Sequence, residues 1–242
     1  MKWLSTREAK EKKWIDAVAA IIIGAIIIGE AVLSNNIWGT KAEPYVKLTW
    51  GHLTFPLISV GLVLLWFIAI RKYSFSYLGF KKARRKYWYF IAPLGMVIGF
   101  GFGIPTYILL TNIFPMLKGG GMASTPPMLG YPLYIVLLVE SIKYPLVSAI
   151  PHNIAWRGAV FQSINRLGRY WFFIAFLVST TFYIGYHLPF DFSFSAFYFN
   201  LIWNVIAIFL LVKSDSIYPP MIFHAFINYF AIFSSWGYYL SK

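Results

Sequence analysis

Apolar residues run through this chain in seven long stretches, separated by shorter polar or basic connections. The stretches lie at residues 15–33, 53–70, 87–114, 131–167, 170–188, 197–212 and 219–240. Several approach the roughly 20 apolar residues that a helix needs to cross a hydrocarbon core about 30 Å thick. A membrane β-barrel would instead show segments of about ten residues alternating polar with apolar, a pattern absent here. The expectation is an all-α, polytopic transmembrane helical bundle of about seven spans, with residues 1–242 forming one integral membrane domain. The fourth stretch is long for a single crossing, and Pro145 and Pro151 are expected to kink or divide it, because each removes a backbone donor and crowds the preceding turn. Pro219 and Pro220 stand where the seventh helix should start, since missing donors cost little there.

Composition sharpens this picture: 59% of residues are hydrophobic and only 12% charged, against about a quarter charged in soluble globular domains. With no cysteine, disulfides and thiolate metal sites are excluded. The formal charge of +13 sits at the ends of the apolar stretches. Lys2, Arg7, Lys10, Lys12 and Lys13 precede the first; Arg71, Lys72, Lys81, Lys82, Arg84, Arg85 and Lys86 follow the second; Arg166 and Arg169 follow the fourth. The positive-inside rule makes these ends cytoplasmic, which puts the N-terminus in the cytoplasm and the C-terminus outside; the cell membrane is the expected location. Charge so explained calls for no nucleic acid; the run at residues 81–86 is placed to meet anionic lipid head groups instead. Ser5-Thr6-Arg7-Glu8 has capping-box spacing and is expected to open a short amphipathic helix. No cleaved signal peptide is expected. The 21% of aromatic residues read as packing and interfacial belt. Residues 115–130, with Gly119-Gly120-Gly121 and Pro126-Pro127, read as a flexible connection.

Ionisable groups within apolar stretches are costly, so their default reading is functional. His152, His187 and His224 all sit in or at the end of such stretches. Asn153 with Arg157, Tyr183 with His187, and His224 with Asn228 are each four residues apart, a step that puts both members on one helical face. Helical bundles build polar sites in this way, from side chains on facing helices. Arg157 costs on the order of 2.5 to 3.5 kcal/mol in such a setting and is expected to bond a neighbouring segment. Glu30 and Glu140 are isolated carboxylates, read as packing partners. His152, His187 and His224 plus a water match a known arrangement for catalytic zinc, although no adjacent carboxylate supports them from behind.

The order, spacing and flanks of these motifs resemble those of the CaaX-protease and bacteriocin-processing family of intramembrane proteases, over about residues 138–230. Where that family has two glutamates, three variable residues and an arginine, this chain has His152 and Asn153 ahead of Arg157 and Gly158. Its second motif, an aromatic residue four before a histidine, is matched by Tyr183 and His187, with Leu188-Pro189-Phe190 a further likeness. Its third is matched by His224 and Asn228. In active members the first glutamate is thought to activate a water with help from the second-motif histidine, while the third-motif pair stabilises the oxyanion. Carried over, the resemblance implies His152, His187, His224 and Asn228 as catalytic positions, with Asn153, Arg157 and Tyr183 structural. It leaves two function classes open. One is a degenerate member, a non-proteolytic scaffold or binding subunit that holds another membrane protein or a lipid-anchored peptide. The other is an active endopeptidase that uses histidine, free or bound to zinc, in place of glutamate. Transport is weaker, because broken-helix inverted repeats are not visible.

Overall fold

The computed structural model describes residues 6–38, 56–117, 148–187 and 193–240, and no strand occurs among them. They form seven helices: α1 (Thr6–Trp38), α2 (Pro56–Ile70), α3 (Trp88–Ile113), α4 (148–165), α5 (Phe172–His187), α6 (Phe194–Ser214) and α7 (Tyr218–Leu240). Among the described residues three helices are long and apolar enough to cross a membrane: Glu11–Leu33 within α1, Trp88–Ile113 and Phe194–Ser214, with Pro56–Ile70 a shorter apolar helix. The all-helical membrane class therefore stands, with three crossings of the expected seven supported by length and composition. Among the described residues no separate amphipathic helix precedes the first crossing, because α1 begins at Thr6 and continues into it without a break. Pro145, Glu140 and most of the glycine- and proline-rich connection lie outside the described residues.

Two compact units divide the chain. The first comprises Met1–Lys81 and Pro151–Tyr186. On α1, Ala17, Ala20, Ile23, Ile27 and Ala31 are buried, a stripe with steps of three and four that defines one helical face. Ile15, Val18, Ile22 and Ile26 remain exposed on other faces. A helix that is apolar all round suits a lipid solvent. α1 runs parallel to α5. The rings of Trp14 and Trp171 meet edge-on at 4.8 Å. A Cβ on Gly24 would lie 2.3 Å from the Phe182 ring, and one on Gly185 would lie 3.5 Å from Ile28 Cδ1. Both numberings rise together along this contact.

The second unit comprises Lys82–Ile150 and His187–Lys242. Gly95, Gly99 and Gly103 form a stripe on α3 that faces Ile206, Trp203 and Phe199 of α6 in turn, so the two helices are antiparallel. Small residues at four-residue spacing let helix backbones approach closely in a membrane. Ala92, Phe199, Trp203, Ala207, Leu210, Phe223 and Ile227 make the core between α3, α6 and α7. Ser193 Oγ caps α6 by accepting from Ala196 N at 3.1 Å, and Asp215 ends it in the left-handed conformation, φ 55°. Pro219 and Pro220 fall in the first turn of α7 as expected, where their absent donors leave no intrahelical bond unmade.

Candidate functional site

The first motif occupies an unusual stretch of backbone. From Asn153 to Phe161, α4 is π-helical, and all nine residues are buried. In this register each turn is closed by the N–H five residues on, a widening that often marks functional sites. The carbonyl of Trp156, inside this stretch, accepts a hydrogen bond from Ser179 Oγ of α5 at 2.8 Å. Arg157 is 1% exposed and Asn153 fully enclosed. Arg157 Nη1 donates to Asn153 Oδ1 at 3.2 Å, and its guanidinium carbon stands 4.9 Å from the centre of the Tyr183 ring. A desolvated cation–π contact of this kind is worth about 2 kcal/mol. Arg157 thus bonds Asn153 within its own helix and, as expected, also engages a neighbouring segment through Tyr183 of α5.

His152 is 3% exposed. Its ring meets Tyr183 at 5.8 Å and Tyr186 at 5.0 Å, both edge-on. Trp156 extends the same aromatic wall, 6.2 Å from Phe182 and 6.2 Å from Tyr186. The first unit therefore gathers His152, Asn153, Arg157 and Tyr183 around one end of α5. The third motif belongs to the second unit, where His224 is buried and Asn228 Nδ2 donates to Ser148 Oγ at 3.3 Å. His187, the last residue of α5, is also assigned to that unit. Leu188-Pro189-Phe190 lies outside the described residues. Within either unit no three His, Asp or Glu side chains among the described residues are grouped to hold a metal ion. Among its described residues the first unit offers a zinc ion one imidazole, with a buried guanidinium close by, which is a poor donor set.

Further polar residues join this picture: Tyr186 and Asp16, which their sequence context did not single out, and Glu30, which it marked as a packing partner. Tyr186 contacts the His152 ring directly, and its position three after Tyr183 is the helical spacing that would have flagged it. Glu30 reaches the same level, because the parallel register of α1 and α5 carries it past Ile28 and Gly185. Its carboxylate interacts electrostatically with Tyr186. At the other end of the first unit Asp16, 1% exposed, accepts from Arg71 Nε at 2.7 Å, from the Tyr73 hydroxyl at 2.7 Å and from the Tyr77 hydroxyl at 3.3 Å. Arg166 caps this cluster, donating to the Tyr77 carbonyl and to Gln162 Oε1, with its guanidinium 3.7 Å over the Tyr77 ring. The hydrogen bond to Asp16 raises the pKa of Arg71. Burial, aided by the bond to Asp16, pushes the Tyr73 hydroxyl up to about 12, and burial raises Tyr77 as well. Arg71 and Arg166, read as orienting charges, also staple the ends of α2 and α4 to α1 and to the connection after α2.

The family described as type II CAAX prenyl endopeptidase Rce1-like matches residues 134–230. No curated protein sequence and no solved structure matches the chain. The matched stretch contains all three motifs, from His152 through Asn228, and the helical, apolar character of the rest agrees with an integral membrane protein. Over residues 134–230 this chain is therefore similar to the type II CAAX prenyl endopeptidase Rce1-like family.

Proposed function

We propose that this chain is a degenerate CaaX-protease-like membrane protein, a non-proteolytic binding subunit that holds a membrane-embedded or lipid-anchored partner. The observation that carries the reading is the state of the two positions where the family has carboxylates. One holds an imidazole packed edge-on between Tyr183 and Tyr186; the other holds an amide committed to Arg157. A carboxylate can take a proton from water and return it to a leaving amine, whereas an amide has no such capacity near neutral pH. The remaining donors at His187, His224 and Asn228 suit a peptide carbonyl as well as an oxyanion. In this reading the protein sits in the cell membrane with its N-terminus in the cytoplasm, as its basic flanks suggest.

A second reading is favoured by one observation. Glu30 stands level with Tyr186, which touches His152, so α1 carries a carboxylate at the level of this imidazole. An active peptidase would then use His152 oriented by Glu30. Purified protein presented with a prenylated peptide separates the two. Binding without turnover supports the first, and turnover abolished by both Glu30→Gln and His152→Ala establishes the second.

A further inference from the structure

The second unit carries a concentration of positive charge that the motif helices do not use. Lys82, Arg84, Arg85 and Lys86 precede α3, and Lys213 lies in the last turn of α6; all five are exposed. Because α3 and α6 are antiparallel, the start of one and the end of the other fall at the same level. The backbone fixes this convergence: Arg84 N donates to the Ser214 carbonyl at 2.7 Å, and Ala83 N donates to the Tyr89 hydroxyl at 2.9 Å. One carboxylate, Asp215, shares this end. Membrane orientation by the positive-inside rule requires only that basic residues lie near the ends of spans. It does not require a basic segment bonded to the turn that follows another helix.

Immediately beyond the charges the surface becomes aromatic and then aliphatic. Arg85 lies 6.0 Å from the Tyr87 ring and Lys213 Nζ lies 5.9 Å from the Phe209 ring, while Trp88 meets Phe209 edge-on at 6.2 Å. Further along α3, Phe90 is 77% exposed and Leu94 and Ile98 more than half exposed. They follow each other at four-residue steps, forming one stripe down the helix. We propose that this end of α3 and α6 binds an anionic phospholipid, its phosphate held among Lys82, Arg84, Arg85, Lys86 and Lys213 and an acyl chain lying along Phe90, Leu94 and Ile98. Cations above an aromatic belt above a lipid-facing aliphatic stripe match such a lipid from head group to chain. An acidic soluble segment would find charge complementarity but no use for the stripe.

The test uses the full chain in detergent, titrated with phosphatidylglycerol or phosphatidylcholine and read by native mass spectrometry. Wild type should retain phosphatidylglycerol in preference. Arg85→Gln with Lys86→Gln should weaken that affinity roughly thirtyfold, and Lys213→Gln alone about fivefold, from the value of each cation near a lipid head group. Lys12→Gln with Lys13→Gln, which removes the same charge from the first unit, should leave it unchanged. Should the double variant at Arg85 and Lys86 fail to fold, the single change at Lys213 and the fall of wild-type affinity with added salt still decide the matter. Equal retention of the two lipids, equal weakening by both double variants, or displacement of phosphatidylglycerol by an equimolar acidic peptide would overturn the proposal.

Discussion

The guanidinium of Arg157 stands 4.9 Å over the ring of Tyr183 while donating to Asn153 at 3.2 Å, so a buried cation is held by an aromatic face and an amide. Replacing Arg157 with methionine keeps most of the volume and removes these interactions. Hydrogen bonds to charged groups contribute about 1.5 to 3 kcal/mol. Arg157→Met is expected to lower folded yield and melting temperature in detergent, with Tyr183→Leu producing a smaller loss in the same direction. A melting temperature equal to wild type for Arg157→Met would show that the cation contributes nothing to the fold.

Gly99 is the closest approach in the second unit, since a Cβ there would lie 2.1 Å from the Trp203 ring. Gly99→Ala forces either the ring or α3 to move, and overpacking of this sort costs typically 1 to 3 kcal/mol. Trp203→Leu should partly rescue Gly99→Ala by making room. Gly101, where an added Cβ meets nothing within 4 Å, is the control, and Gly101→Ala should be neutral or slightly stabilising. Equal melting temperatures for the two alanine variants would contradict this packing.

Alkaline pH should loosen the first unit through Tyr73. Its hydroxyl titrates at about 12 in the folded protein against an ordinary value of 10.0. A raised pKa means that the folded state favours the protonated form, so this stability is fully present below pH 10 and is lost as pH rises through about 12. Tyr73→Phe cannot titrate. The variant should start less stable than wild type, having lost the bond to Asp16, and should fall less steeply between pH 10 and 12. Parallel melting curves for the two proteins across that window would rule out the contribution.

The sequence made some of the helices legible to within a few residues, although α1 begins at Thr6, nine residues ahead of the first apolar stretch. The third and sixth apolar stretches, 87–114 and 197–212, become Trp88–Ile113 and Phe194–Ser214, and Pro219 with Pro220 marked the start of α7. The π-helical turn at Asn153–Phe161 was not legible, because a run apolar on every side carries no phase from which to tell a five-residue hydrogen-bond step from a four-residue one. Nor could the sequence pair Asp16 with Arg71, 55 positions away; the charge pattern spoke only of orientation. The stripe Gly95, Gly99, Gly103 emerged only from the packing, because its partner α6 lies about a hundred residues further on. At the motif, spacing correctly brought Asn153 to Arg157, while the contacts of Tyr186 and Glu30 depended on how α5 and α1 pack.

The claim that proteolysis has been lost with the two carboxylates is tested most directly by restoring them. Wild type and His152→Glu/Asn153→Glu are assayed side by side for cleavage of a prenylated peptide, with and without chelator. Asn153→Glu would place its carboxylate beside Arg157, which already reaches that side chain, so the variant has a charge partner ready. Regained general-base assistance is worth typically 10² to 10⁴-fold. The account predicts cleavage by the variant at least a hundredfold above a near-background wild type; robust cleavage by the wild type, abolished by His152→Ala, would contradict it.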